Sequence, residues 1–169
     1  MENIQVSIVC NAYNHERYIR DAMAGFVMQQ TNFPFEILVH DDASTDRTAD
    51  IIREYEKKYP EIVKPIYETE NQYSKQDGSL GRIQYGRAKG RYIAMCEGDD
   101  YWTDPLKLQK QYDALEKNPD ADICATGAHS EIGGVVRDVV FPASEDMLYT
   151  PGEVIRRGGG FVATCSLMY

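Results

Sequence analysis

The segment MCEGDDYW, residues 95–102, sets Asp99 beside Asp100 behind an apolar run and ahead of two large aromatics. Neighbouring anions repel, and partial burial raises the cost, so such a pair calls for a cation, a hydrogen-bonded ligand or a helix N-terminus. A divalent metal meets that demand directly. The alternative is a turn that opens a helix at Asp104-Pro105, since Asp is a common turn and cap residue. Two further polar groups end apolar runs: Asn11, Tyr13 and Asn14 follow IQVSIVC, while Asp41 and Asp42 close FEILVHD. No GxGxxG follows the first run and no GxxxxGK(S/T) occurs, which argues against a dinucleotide fold and a P-loop. A phosphate group would have to be held another way, and carboxylate plus diphosphate oxygens suit Mg2+ or Mn2+.

The elements that must position these residues alternate short apolar runs with longer amphipathic stretches, the pattern of βα units packed on a largely parallel sheet. The pattern predicts a strand over 4–10, a helix over 15–30 and a strand over 35–41. A helix from Thr45 to Lys58 follows, opened by Ser44-Thr45-Asp46 and closed before Pro60. Residues 62–67 predict an edge strand, because Pro65 removes a ladder donor. The polar stretch 68–81 predicts a long mobile loop, and 82–89 a short helix. RYIAMCE is the next strand and delivers the Asp99–Asp100 pair. Asp104-Pro105 then starts a helix that stops at Asn118-Pro119. Beyond it lie two strands over 120–132 and 133–141 joined at Gly133-Gly134, a short helix over 151–160, and a last strand over 161–169. In open α/β sheets the ligand crevice lies at the carboxyl ends of the strands, so the three polar groups converge on one rim.

With 169 residues and 43% hydrophobic content, the chain fits one globular domain with a real core. The formal charge of -9 argues against a nucleic-acid or anionic-lipid surface. No apolar stretch is long enough to span a bilayer, and the N-terminus runs into a strand without signal-peptide features, so a cytoplasmic location is expected. Cys10, Cys96, Cys124 and Cys165 lack metal-site spacing and predict buried free thiols. His15, His40 and His129 read as scattered polar strand-end or loop residues. The apolar run that reaches Tyr169 predicts a natural chain that continues beyond it.

Three segments resemble the family 2 glycosyltransferases of the GT-A fold, inverting enzymes that use nucleotide-diphosphate sugars: VSIVCNAYNHERYIRDAM, ILVHDDASTDRTADII and AKGRYIAMCEGDDYWTDPLKLQKQ. The resemblance covers roughly residues 4–118. It implies a single GT-A domain over 1–169, with 1–118 the nucleotide-sugar-binding half and 119–169 the start of the acceptor-side half. It also implies that Asn11 and Tyr13 form the turn beside the nucleoside, with Glu16 a further contact. Asp42 resembles the carboxylate that accepts a hydrogen bond from the base. Asp99 resembles the residue near ribose and metal, and Asp100 the direct ligand of Mn2+ or Mg2+ in the DxD motif.

The chain departs from the family pattern at Asn11-Ala12, where many relatives carry Pro, and at LGRIQYG, where many carry Ala-Arg-Asn-x-Gly. Arg82 and Arg87 read as surface residues, the alternative being that one of them supplies positive charge to a phosphate. Inversion needs a general base, usually a carboxylate, and in relatives that Asp falls downstream of a segment resembling TCSLMY, hence beyond Tyr169. Asp138, Glu145 and Asp146 fit solvated turn or strand-edge positions better. Tyr101 and Trp102 suit either stacking on a sugar or packing beside the acidic loop. The expected function is transfer of a sugar, from a UDP-sugar, to a glycan or lipid-linked acceptor in surface-polysaccharide synthesis. In the full-length protein the domain would lie at the inner face of the membrane. A non-catalytic nucleotide-sugar-binding module is the alternative.

Overall fold

The computed structural model describes residues 3–133, 135–140, 145–158 and 160–169, without the side chains of 138–140. Four parallel strands form the central sheet: β1 (Val6–Ala12), β2 (Phe35–Asp41), β3 (Ile66–Tyr67) and β4 (Tyr92–Met95), in the order β3-β2-β1-β4. β1 is buried along both faces, as a central strand of a parallel sheet must be. It aligns Val6 with Phe35 and Ala12 with Asp41 on one side, and Val6 with Tyr92 on the other.

The side-chain period of two sends Val6, Ile8, Cys10 and Ala12 of β1 to one face, joined there by Ile37, Val39, Ala94 and Cys96. Against that face pack α1 (Ile19–Val27), α2 (Thr48–Lys58) and α4 (Lys107–Lys117) through Ile19, Met23, Phe26, Ile51, Ile52, Leu108 and Leu115. Each such side chain contributes about 1.5–3 kcal/mol on leaving water. A further helix, α3 (Ser79–Arg87), lies against β2. Its Gln84 amide donates to the carbonyls of Cys10 and Leu38, both at 3.0 Å, so one buried side chain bridges two neighbouring strands.

An antiparallel hairpin, β5 (Ala128–Ile132) and β6 (Val135–Val140), forms a separate sheet. Gly133 takes a φ of 60° at its turn, while the predicted partner Gly134 lies outside the described residues. The strand expected from residue 120 begins only at Ala128. α5 (Pro151–Arg157) carries a complete capping box between Thr150 and Glu153.

Expectations for two segments are corrected. The last segment is not a full strand: Thr164–Ser166 form a 3-10 turn, and only Leu167–Tyr169 run antiparallel along β4, with Met95 N to Leu167 O at 3.0 Å and Ile93 N to Tyr169 O at 2.7 Å. The 68–81 stretch is not a free loop, because it holds a 3-10 turn at Tyr73–Lys75 and the start of α3, and Asp42 pins it. His40 lies at the strand end as expected, fully buried as the penultimate residue of β2. The four cysteines are free thiols as expected, although Cys124 and Cys165 are only partly buried.

The AKG segment has a local cause. The Ser7 hydroxyl accepts the amides of Lys89 and Gly90 at 3.1 and 2.8 Å, drawing the chain onto the start of β1. A Cβ on Gly90 would lie 2.4 Å from Ser7 N and 2.6 Å from Val6 C, both rigid backbone. Gly90→Ala is expected to cost at least about 2 kcal/mol through forced strand displacement, read as a lower denaturation midpoint at unchanged m-value.

Candidate donor-binding site at the strand rim

The rim is built from the last two peptide carbonyls of β1. Asn11 O accepts the amide of Gly98 at 2.9 Å, and Ala12 O accepts the amide of Asp42 at 2.9 Å. Both acidic loops therefore hang from one strand end. The turn after β1 is fastened to the loop after β2 as well. Asn14, in the left-handed region at φ 56°, donates its amide to Ser44 Oγ and accepts Thr45 N on Oδ1 at 2.8 Å. Glu16 N donates to Asp46, and Glu16 Oε2 accepts Arg47 N at 3.1 Å.

In the acidic loop, Cys96 N bonds Val9 O and Asp100 N bonds Glu97 O at 3.1 Å, a turn that folds three carboxylates together. Ligand oxygens of Glu97, Asp99 and Asp100 all lie within 4.8 Å of one another. Among the described residues no lysine or arginine pairs with them; the nearest cationic candidate is His15, whose Nε2 lies 4.0 Å from Asp99 Oδ2. Burial, then the charges of Asp99 and Asp100, push the Glu97 carboxyl above its ordinary range. Burial and Asp99 do the same to Asp100, while a hydrogen bond with the Cys165 thiol pulls the other way. Three crowded hard-oxygen ligands with this unrelieved repulsion are a fitting donor set for Mg2+ or Mn2+.

Gly98 makes the loop possible, since a Cβ there would come 2.9 Å from Ala12 Cβ and 2.9 Å from His15 Nδ1. Behind the loop, Trp102 is buried: its ring meets Phe26 edge-on at 5.0 Å, its indole N–H donates to Cys165 O at 2.7 Å, and Lys107 Nζ stands 4.0 Å from the ring centroid. Trp102 is therefore a packing residue. Tyr101 stays exposed and donates its hydroxyl to Glu131 at 3.0 Å.

The structure brings Asn11, Tyr13, Asp42, Asp99 and Asp100 to one rim. Asn11 is half-buried and Tyr13 exposed, whereas Asp42 is only 2% exposed. Asp41 is buried, which raises its carboxyl above the usual range. Glu16 is exposed, with its carboxylate engaged by the Arg47 amide. The two arginines are spent elsewhere: Arg82 bonds Asp77 O, and Arg87 donates to Gln84 Oε1 and Lys64 O. Glu145 and Asp146 are exposed, and the side chain of Asp138 lies outside the described residues. Sequence reading missed Glu97, although its place two residues before Asp99 forms a carboxylate-x-carboxylate signal. It also missed His15 and Gln84, whose Nε2 reaches Asn11 Oδ1 at 3.3 Å; neither had a local signal.

The fold is a mostly parallel α/β half-domain with a carboxylate trio at the carboxyl ends of its strands. Residues 7–157 match the family described as Glycosyl transferase family 2, and the chain belongs to that family. It is similar to the Uncharacterized protein Rv1520 of Mycobacterium tuberculosis, 46% identical over 121 residues, 70% of this chain and 34% of the relative. It is also similar to the Putative teichuronic acid biosynthesis glycosyltransferase TuaG of Bacillus subtilis, 36% identical over 111 residues, 65% of this chain and 41% of the relative. This chain thus spans well under half the length of either relative. Among solved structures, S. aureus TarS 1-349 in complex with UDP aligns at a TM-score of 0.64 and 24% identity over 83% of this chain and 40% of the other. The mannosyltransferase PcManGT from Pyrobaculum calidifontis, in complex with GDP-Man and Mn2+, aligns at 0.60 and 21% over 70% of this chain and 34% of the other. These likenesses establish the GT-A fold.

Ala43 follows the acidic pair with a φ of 63°, a region that costs an L-residue about 1–2 kcal/mol and glycine nothing. Glycine's larger unfolded-state entropy offsets part of that. Ala43→Gly is expected to raise the thermal midpoint by about 2–4 °C, which corresponds to about 1 kcal/mol in a domain of this size, measured by calorimetry or circular dichroism.

Proposed function

We propose that this chain is the donor-binding part of a metal-dependent, inverting glycosyltransferase that takes a UDP-sugar and serves surface-polysaccharide synthesis. The observation that carries this reading is the trio Glu97, Asp99 and Asp100 within 4.8 Å, suspended with Asp42 from the end of β1. Family membership and the UDP- and GDP-Man-bound neighbours support nucleotide-sugar binding. The teichuronic acid relative supports a polysaccharide context.

In this reading Asp100 and Glu97 hold Mn2+ or Mg2+, with Asp99 between cation and ribose. A cation bound there supplies the positive charge that a diphosphate needs as it leaves. Asn11 and Tyr13 face the nucleoside, with Glu16 fastening their turn, and Asp42 joins the site through the segment it holds. The acceptor hydroxyl of a glycan or lipid-linked sugar attacks the donor's anomeric carbon in line, the new C–O bond forming as the bond to the diphosphate breaks, and the hydroxyl proton goes to a carboxylate base other than the cation-holding trio. No helix of the described residues is long and apolar enough to cross a membrane. A place on the cytoplasmic side, peripheral to the inner membrane face, fits the use of a nucleotide sugar.

Titrating UDP by calorimetry with Mn2+ and then with EDTA tests the reading. Binding is expected with Mn2+ and at least about tenfold weaker in EDTA, a loss of about 1.4 kcal/mol; equal binding in both would overturn the metal role. Asp100→Ala and Glu97→Gln are each expected to abolish the Mn2+ increment while leaving the fold, read by circular dichroism, intact. With donor and a mixed acceptor preparation, the 169-residue chain is expected to transfer no sugar.

The raised carboxyls also set a pH dependence. Glu97 and Asp100 hold protons to higher pH than ordinary carboxyls, yet must be ionised to hold the cation. Mn2+-dependent UDP affinity is therefore expected to fall on acidification before the ordinary carboxylate range is reached, with proton release on metal binding. Calorimetry in buffers of different ionisation enthalpy measures that release, and a flat profile down to the ordinary range contradicts it.

A further inference from the structure

His40 is fully buried in β2, and among the described residues neither of its ring nitrogens has a hydrogen-bond partner. A buried imidazole ordinarily donates from one nitrogen and accepts at the other, so this ring calls for an explanation. Its Nε2 faces two carboxylates at distances too long for a bond, Asp42 Oδ1 at 3.6 Å and Glu68 Oε1 at 3.8 Å. From α3 the Arg87 guanidinium also acts on the ring and opposes its charging. The ladder neighbours of His40, Asn11 of β1 and Ile66 of β3, carry no charge.

The same two acidic residues hold the segment that follows β3. Asp42 Oδ1 accepts Gln72 N at 2.6 Å and Oδ2 accepts Tyr73 N at 2.9 Å, the amides that lead into the 3-10 turn at Tyr73–Lys75. Asp42 O accepts the side-chain amide of Asn71 at 3.1 Å. Glu68 N bonds Asp41 O at 2.9 Å, and Glu68 Oε2 accepts the Gln72 side-chain amide at 3.4 Å. The turn ends at Gln76, whose φ of 53° is unfavourable for a residue other than glycine, so the closed segment relies on these bonds.

A neutral ring fits this pocket. With its proton on Nε2 it points an N–H at the two carboxylates and leaves only a lone pair at Nδ1. A second proton would put an N–H at Nδ1, where no acceptor among the described residues stands within bonding distance and no water reaches. The charged ring would also draw Asp42 Oδ1 toward Nε2 and off the Gln72 amide. Burial accordingly holds the ring's proton affinity below its ordinary range, outweighing the upward pull of Asp42 and Glu68.

We propose that His40 is an acid-sensitive latch under the 68–75 segment: the neutral ring lets the segment close on the Asp42 carboxylate, and a charged ring requires it to open. Above the ordinary imidazole value of about 6.5, both forms are neutral and closure is undiminished. Below it the open form takes up a proton that the closed form refuses, so closure weakens as pH falls. Asp42 N is bonded to Ala12 O, so the latch puts one loop of the strand rim under the control of pH.

Amide hydrogen exchange of the 169-residue chain, followed residue by residue and corrected for intrinsic rates, tests the latch without metal or nucleotide, so its failure leaves the donor-site reading standing. Ordinary carboxyls titrate about two units below imidazole, so the range from about pH 7.5 to about 5.5 isolates the ring. Across it the protection of the Gln72 and Tyr73 amides is expected to fall about tenfold, as uptake of one proton by the open form requires, with the β1 ladder amides within about twofold. His40→Gln keeps a neutral amide beside both carboxylates, and its Gln72 and Tyr73 protection is expected to stay flat. The 15N-labelled His40 ring of the parent is expected to carry its proton on Nε2 and to titrate below the ordinary imidazole value. Flat protection in the parent overturns the latch, and so does an equal fall in His40→Gln, which assigns the proton to another group. A parent ring that charges at or above the ordinary value while both amides stay protected overturns it as well, and that measurement depends on no variant.

Discussion

Everything at the rim depends on two peptide carbonyls. β1 ends between β2 and β4, and at its last two residues the Asn11 and Ala12 oxygens receive the amides of Gly98 and Asp42. A buried carbonyl without a partner costs about as much as a lost hydrogen bond, so these two positions bring both acidic loops in as a condition of closing the sheet. The carboxylates are thereby held on rigid strand ends instead of on free loops. Residues 13–16 and 44–47 add a second seam by exchanging amide and side-chain bonds.

The cost of this convergence is electrostatic. A chain with net charge -9 gathers Glu97, Asp99 and Asp100 where no lysine or arginine among the described residues answers them. Cationic groups close by are committed to packing. Lys107 is buried over Trp102 and bonded to Gln111 at 2.5 Å, and burial lowers its ammonium to about 8. Around it the Cys96 and Cys165 thiols are pushed upward by burial, Cys165 to about 11, so they stay neutral beside the acidic loop. The repulsion is left for a bound cation to relieve.

The 164–169 segment ties this loop to the core. Trp102 N–H bonds Cys165 O, Gln111 bonds Ser166 O at 2.8 Å, and Met168 is fully buried between Ala94 and Cys124. Residues distant in sequence thus set the backing against which Asp100 sits. The hairpin β5–β6 reaches the site through the bond from Tyr101 to Glu131.

Hydrophobic periodicity by itself determined the succession of βα units, the edge position of β3 through Pro65, and the rim at which Asn11, Asp42, Asp99 and Asp100 gather, because each is a property of local spacing and strand ends. It placed β2 to the residue and missed β1 and α1 only at their ends, where caps and turns compete with pattern. Tertiary structure alone decided what each polar group does there. Asp42 reads in sequence as an unengaged acceptor, whereas in the fold two amides about thirty residues away bond its oxygens. Trp102 could be read as a sugar platform until Phe26, Lys107 and Cys165 enclosed it. Glu97 and His15 joined the site, and Arg82 and Arg87 left it, through contacts between segments far apart in the chain. Spacing along one segment says which groups are present, but hydrogen-bond partners are chosen in three dimensions, where every buried polar atom has to be satisfied by whatever the fold brings to it.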